Sequence, residues 1–267
     1  MSLASEFVDL ALPQGSVKIE YQWLNADAGD RPLMIFLHEG LGSLSMWRDF
    51  PALLCAALDC RGLVYSRPGY GLSTPRQAAQ AWTPDFMHRQ ADQLLPALCR
   101  AMQLEQPVWL FGHSDGASIG LLYAAMFPAQ VAGAILLAPH CFVEDITIAN
   151  IAAARTAYLQ TDLRQRLSKY HADPDSAFWG WNDIWLNPGF RSWCIDDHLA
   201  SLTCPLLLVQ GSDDEYGTLE QVQRIARQVR QCELLELADC GHSPHRDQKD
   251  RLIEAAVSFF QRQGDKP

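Results

Sequence analysis

Short apolar runs that alternate with helical stripes leave this chain few ways to fold. PLMIFLH (32–38), GLVYS (62–66), PVWLFG (107–112), VAGAILLAP (131–139), PLLLVQG (205–211) and CELLEL (232–237) are mostly continuous, as strands covered on both faces must be. Between them, residues 84–103 carry Phe86, Met87, Leu94, Leu95, Leu98 and Met102 at helical spacing. Val222, Ile225 and Val229 form a second stripe in 218–230, and Leu252, Ile253, Val257 and Phe260 a third in 246–262. Ahead of this series, FVDLAL and VKIEYQWL alternate apolar and polar residues around Pro-Gln-Gly-Ser, the pattern of an antiparallel hairpin with one solvated face. A hairpin followed by strand–helix alternation predicts an α/β fold: a mostly parallel eight-stranded sheet flanked by helices.

One stretch breaks the alternation. Between ILLAP and PLLLVQG, roughly 65 residues carry no convincing strand, far more than an ordinary αβ connection needs. Residues 146–170 pattern as helix, and HADPDSAFWGWNDIWLNPGFRSW then concentrates Phe178, Trp179, Trp181, Trp185, Phe190 and Trp193. The reading is a helical cap inserted after the sixth strand over residues 141–201, with 1–140 and 202–267 forming the core. The aromatic residues either pack as a small core of their own or wall a pocket, for which Trp181 and Trp185 are candidates.

Composition excludes several classes. At 267 residues, with 48% apolar and 19% charged residues, the chain suits one globular domain plus an insertion. A net charge of −10 with no basic run argues against a nucleic-acid partner. No apolar run approaches the roughly 20 residues of a membrane span. MSLASEFVDLAL lacks a basic start and carries Glu6 and Asp9, unlike a signal peptide, so a cytoplasmic location is expected. The eight cysteines are scattered with no CxxC pair, which points to reduced thiols rather than a metal cluster. Oligomeric state is left open, a homodimer included.

The chemistry begins at VWLFGHSDGASIG (108–120), where a buried-looking strand runs into a helix-like segment with no ordinary loop. Gly112-His113-Ser114-Asp115-Gly116 matches G-x-S-x-G in the strand-then-helix context that motif requires. Both glycines leave room around a strained central residue, and Ala117, Ser118 and Gly120 keep the following helix thin. Ser114 is thereby a candidate nucleophile at the C-terminal edge of the sheet, with a helix N-terminus behind it. A serine hydroxyl needs a base, and the base needs an acid. LLLVQGSDDEYG delivers Asp213, Asp214 and Glu215 past one strand, and LLELADCGHSPHRDQ delivers His242 and then His245 past the last. Each group falls where open α/β sheets place their sites.

This constellation resembles the α/β-hydrolase family, and the resemblance covers essentially the whole chain. In that family the acid usually lies three residues beyond the glycine closing the seventh strand; Gly211 makes it Asp214, with Asp213 the alternative. The histidine usually sits in Gly-His followed shortly by Pro, so CGHSPH implies His242, with His245 in the first turn of the closing helix. SRPGYGLS (66–73) looks like the family's loop after the fourth strand. The oxyanion hole takes two backbone donors, Asp115 N–H and, by position in LHEGLGS, Gly40 N–H with Leu41 as alternate. Glu39 stands where the family usually has glycine.

The resemblance implies a Ser114–His242–Asp214 hydrolase that uses no metal or organic cofactor. It would act on the ester, thioester or lactone of a small apolar or aromatic metabolite through an acyl-enzyme. The same residues would also serve a C–C hydrolase or an acyltransferase, and the same fold serves non-hydrolytic ligand-binding proteins. His113 reads as a structural part of the turn and His140 as a pocket candidate at the same sheet edge. Glu39 and Asp115 flank the reacting centre: either they bond to backbone, Arg48 or Arg67, or one meets a cationic or hydroxyl-bearing substrate group.

Overall fold

The structure, a computed structural model, describes residues 5–77 and 81–264. The signal-peptide reading rests in part on residues 1–4, which lie outside that range. Strands β1 (Glu6–Leu12) and β2 (Gly15–Leu24) form the expected hairpin, and β3 (Leu33–Leu37) leads into helix α1 (Phe50–Leu58) and β4 (Arg61–Tyr65). Helices α2 (Phe86–Arg89) and α3 (Leu95–Ala101) follow, then β5 (Val108–His113), α4 (Asp115–Met126) and β6 (Val131–Leu137). The long connection holds α5 (Asp145–Gln160), α6 (Leu163–Leu167), α7 (Pro174–Trp185) and α8 (Asp196–Leu199). Strand β7 (Leu206–Gly211), α9 (Glu220–Ala226), β8 (Cys232–Leu237), α10 (Pro244–Asp247) and α11 (Lys249–Gly264) complete the chain. The sheet has eight strands in the order β1-β2-β4-β3-β5-β6-β7-β8, parallel except where β2 meets β1 and β4.

The continuous apolar runs are explained by a sheet with two covered faces. Ile35, Leu37, Leu110, Leu136 and Leu208 pack with residues of α3, α4 and α9. Their immediate neighbours Met34, Phe36, Phe111, Leu137 and Val209 pack with α1 and α11 on the other side. Because side chains alternate between faces along a strand, only an all-apolar run can satisfy both layers. CELLEL departs from this reading: β8 is the sheet edge, and of its residues only Leu237 is buried. An edge strand is covered on fewer sides, so Glu233 and Glu236 can point to water.

Two helices differ from their sequence pattern. The single helix expected over 84–103 contains a π-turn at Gln90–Leu94 between α2 and α3. Pro96 lacks an N–H and would crowd the carbonyl four residues back, and the wider turn relieves that conflict. The helix expected over 146–170 breaks after α5, where Thr161 is extended and its hydroxyl accepts the Leu163 N–H at 3.2 Å.

An antiparallel bridge between Phe142 and Cys194, with Ile195 N–H donating to Cys141 O at 2.9 Å, closes the stem of the connection between β6 and β7. The thiols are unpaired and buried except at Cys194 and Cys232. Among the described residues no helix is long and apolar enough to cross a membrane.

Candidate active site

Strand β5 ends at His113 and α4 starts at Asp115, so Ser114 alone makes the turn, at φ 53° and ψ −120°. A side chain held there costs about 1–3 kcal/mol, which the surrounding packing must offset. The flanking glycines show where the crowding lies. A Cβ on Gly112 would sit 2.7 Å from Ala117 Cα, and one on Gly116 would sit 2.0 Å from the Leu37 carbonyl oxygen. The pressure therefore falls between the strand and its own helix, and between that helix and β3, rather than on Ser114 itself. Gly116→Ala should overpack this junction by about 3 kcal/mol, because a backbone carbonyl cannot swing aside as a side chain would. A urea midpoint that falls with an unchanged slope would report it; an unmoved midpoint would refute the close packing.

The sheet order then assembles the other groups. Strands β3 and β5 are neighbours, with Leu37 opposite Gly112, so the loop after β3 lies beside Ser114. The loop after β7 brings Asp214, and the loop after β8 brings His242. Ser114 Oγ lies 2.9 Å from His242 Nε2, and His242 Nδ1 lies 2.8 and 2.9 Å from the two oxygens of Asp214. Asp213 is turned elsewhere, its carboxylate accepting the Ser212 hydroxyl. The choice between neighbouring aspartates thus falls on Asp214. Its carboxylate also accepts Tyr216 N–H at 2.8 Å, Gly217 N–H at 3.2 Å and the Gln210 side-chain amide at 2.8 Å.

Charge follows from these contacts. Burial pushes the Asp214 carboxyl up, but the hydrogen bond and charge of His242 outweigh it, and the net direction is down. Burial pushes the His242 imidazole down, yet the hydrogen bond and charge of Asp214 prevail and the net direction is up. A carboxylate on Nδ1 fixes the proton there and leaves Nε2 to accept from the serine hydroxyl. Such a chain can draw the proton from an alcohol as it attacks.

The hydroxyl opens into a cavity of about 110 Å³. The pocket residues expected from sequence, Glu39, Leu41, His140, Trp181 and Trp185, line it, as do Gly40 and Asp115, expected as backbone donors. Thr147 and Ile151 of α5 and Tyr216 line it too, and sequence reading missed them. The first two sit one helical turn apart on one face, a signal too common to single out. Gln210 was missed as well, although a lone amide in the apolar run PLLLVQG was a visible cue.

Contacts around the cavity are close. Trp181 lies so near the loop after β3 that a Cβ on Gly40 would come within 2.2 Å of its indole nitrogen. Asp115 is fully buried; it accepts Trp185 Nε1–H at 3.1 Å and lies 3.9 Å from Arg67 Nη2. Burial outweighs the opposing pull of Arg67 and Trp185, and the Asp115 carboxyl is pushed up. Arg67 rather than Arg48 is the acidic pair's neighbour, and it donates to the Glu39 carbonyl at 2.8 Å. The Gly40 and Leu41 amides donate to no protein atom among the described residues. The Asp115 amide, first in its helix, has no intrahelical acceptor.

The remaining histidines have other tasks. His140 is tied by backbone to the Ser118 hydroxyl, at 2.8 and 2.9 Å, and burial with the nearby His242 pushes its imidazole down to about 3. His245 lies in the first turn of α10, just ahead of the closing helix α11, and packs on Trp47, Phe50 and His113, pushed down to about 2 chiefly by burial. His113 Nε2 donates to the His242 carbonyl at 2.7 Å.

The sequence matches the alpha/beta hydrolase family over residues 34–255. The chain belongs to that family. Comparison with curated proteins finds no match. Solved structures share the fold at low identity. A thermophilic esterase from Thermogutta terrifontis, solved with malate bound, is 19% identical with a TM-score of 0.74, the match covering 97% of this chain and 99% of that one. An enol-lactonase from Burkholderia xenovorans is 18% identical at a TM-score of 0.73, covering 95% and 100%. A meta-cleavage product hydrolase from Pseudomonas fluorescens is 18% identical at 0.69, covering 96% and 97%.

Proposed function

We propose that this alpha/beta hydrolase is a serine hydrolase that cleaves an ester, thioester or lactone of a small apolar or aromatic metabolite through an acyl-enzyme. The observation that carries the reading is the unbroken hydrogen-bond chain from Asp214 through His242 to Ser114, ending in a lined cavity. In this mechanism His242 takes the Ser114 proton while Asp214 stabilises the imidazolium. Ser114 attacks the carbonyl carbon, and the Asp115 and Gly40 amides receive the developing oxyanion. His242 then returns its proton to the leaving group and later activates the water that frees the acid. No cofactor enters any step. Residues 141–201 act as a cap, with Trp181 and Trp185 forming the ceiling over the acyl group.

Size favours a compact aliphatic acyl group, with any aromatic ring of the metabolite on the leaving-group side. The cavity of about 110 Å³ is smaller than the roughly 150 Å³ that encloses a benzene ring. An acyl chain of a few carbons fits, and a longer one must displace the indoles. The test is a panel of p-nitrophenyl acetate, butyrate and octanoate with a simple lactone and an acyl thioester. Acetate and butyrate should turn over, with octanoate at least about tenfold lower in kcat/KM, a loss of about 1.4 kcal/mol. A fluorophosphonate should label Ser114. A folded chain that takes no label and turns over no ester would instead be a ligand-binding member of the fold, and the reading would fail.

A further inference from the structure

Glu39 and His113 have no part in the mechanism above, yet the fold brings them together behind the base. His113 closes β5 and Glu39 follows β3, and both side chains are largely shielded, at 2% and 16% exposure. The His113 Nε2 contact with the His242 carbonyl, at 2.7 Å, requires a proton on Nε2, because a carbonyl only accepts. Its Nδ1 is buried without a hydrogen-bond partner and faces Glu39 Oε2 at 3.5 Å. With no proton on that line, two lone pairs would oppose each other away from water, an arrangement that costs free energy. The contact is favourable only when one of the two atoms carries a proton.

We infer that Glu39 is a positioning residue: it shares a proton with His113 Nδ1, and the ring so held pins the His242 carbonyl and sets the base against Ser114. Several observations agree. Burial pushes the Glu39 carboxyl up, but the neighbouring histidines, His113 first among them, outweigh this and hold it well below the usual carboxylate range. The second Glu39 oxygen faces Arg246 Nη2 at 3.7 Å, so both oxygens are directed at protein nitrogens rather than reserved for a substrate. Other groups near the pair are His38, His245 and His242, with Asp115 and His171 on the Glu39 side and His140 on the His113 side. His38 is committed through both ring nitrogens, to Glu39 O at 2.7 Å and to the Arg67 N–H at 3.0 Å, and His245 is neutral. The departure from glycine at position 39 thus acquires a purpose: it supplies the carboxylate that this histidine needs.

The inference rests on His242 being the base, and its test separates the two ideas. Glu39→Gln can turn its amide N–H toward an unprotonated Nδ1, so the Nε2 donation survives. Glu39→Leu leaves Nδ1 unpaired. With p-nitrophenyl acetate, the Gln variant should keep kcat within about threefold of the parent. The Leu variant should lose about 10- to 100-fold in kcat with KM little changed, as expected of a misplaced catalytic group. The imidazole 15N spectrum of the parent should show His113 Nε2 protonated and its Nδ1 shifted by a hydrogen bond to Glu39, a readout that needs neither turnover nor a variant that folds. Equal losses in both variants, no loss in either, or a parent Nδ1 that shows no hydrogen bond would overturn the inference. A parent that hydrolyses nothing but shows the hydrogen-bonded Nδ1 would sink the hydrolase reading alone.

Discussion

Ser114→Ala should abolish ester turnover, lowering kcat by about 10⁴- to 10⁶-fold while leaving the fold intact. The side chain is small and only 7% exposed, and its hydroxyl bonds to His242 Nε2 at 2.9 Å. Alanine tolerates the strained turn as well as serine does, since the Cβ that causes the strain is present in both. The stability of the variant should therefore stay within about 0.5 kcal/mol of the parent, the range of substitutions that disturb no packing. Residual rate would come from the amides at the oxyanion position. A variant that retained more than about one per cent of parent kcat on p-nitrophenyl acetate would mean that the bond-forming atom lies elsewhere.

Asp214→Asn should cost about 10⁴-fold in kcat with the geometry preserved, because it installs the wrong tautomer. The carboxylate accepts three N–H bonds besides the one from His242, from Tyr216, Gly217 and Gln210. An asparagine can keep its oxygen toward the backbone donors and must then point its NH2 at His242 Nδ1. The imidazole proton moves to Nε2, and that nitrogen can no longer accept from Ser114. The pH dependence follows with a definite sign. A base must be neutral to work, so rate is lost as pH falls through the His242 pKa. That pKa is raised in the parent, with burial opposing and Asp214 prevailing, so the acid limb of kcat/KM should lie above the ordinary imidazole value of about 6.5. In the Asn variant the acid limb of the residual activity should move to lower pH. An acid limb that stays in place would show that another group controls it.

The strands were legible because burial on two faces demands uninterrupted apolar residues, which leave an unambiguous trace in one dimension. The turn at Gly112–Gly116 was legible for a similar reason, since close backbone approach admits only glycine at those points. Gly116 against the Leu37 carbonyl is the clearest case, although the sequence did not say which neighbour did the crowding. Helix ends were less legible. Pro96 and Thr161 act through local backbone bonds that a hydrophobic stripe does not record, so the π-turn and the break after α5 went unread.

Ser114, His242 and the Asp213–Asp214 pair could be read from the chain because each follows a strand end, and strand ends can be counted. Which of two adjacent aspartates turns inward could not, because Asp213 and Asp214 differ only in the direction the loop gives them. Thr147 and Ile151 became part of the site only when α5 packed over those strand ends, Tyr216 through the loop after β7, and Arg67 through the loop after β4. The same holds for the pairing of Glu39 with His113, separated in sequence and joined behind the base. Residue types and their spacing determined the layers and the chemistry at hand; the direction of each side chain, and so its partners and its protons, depends on distances that exist only once the sheet has closed its order.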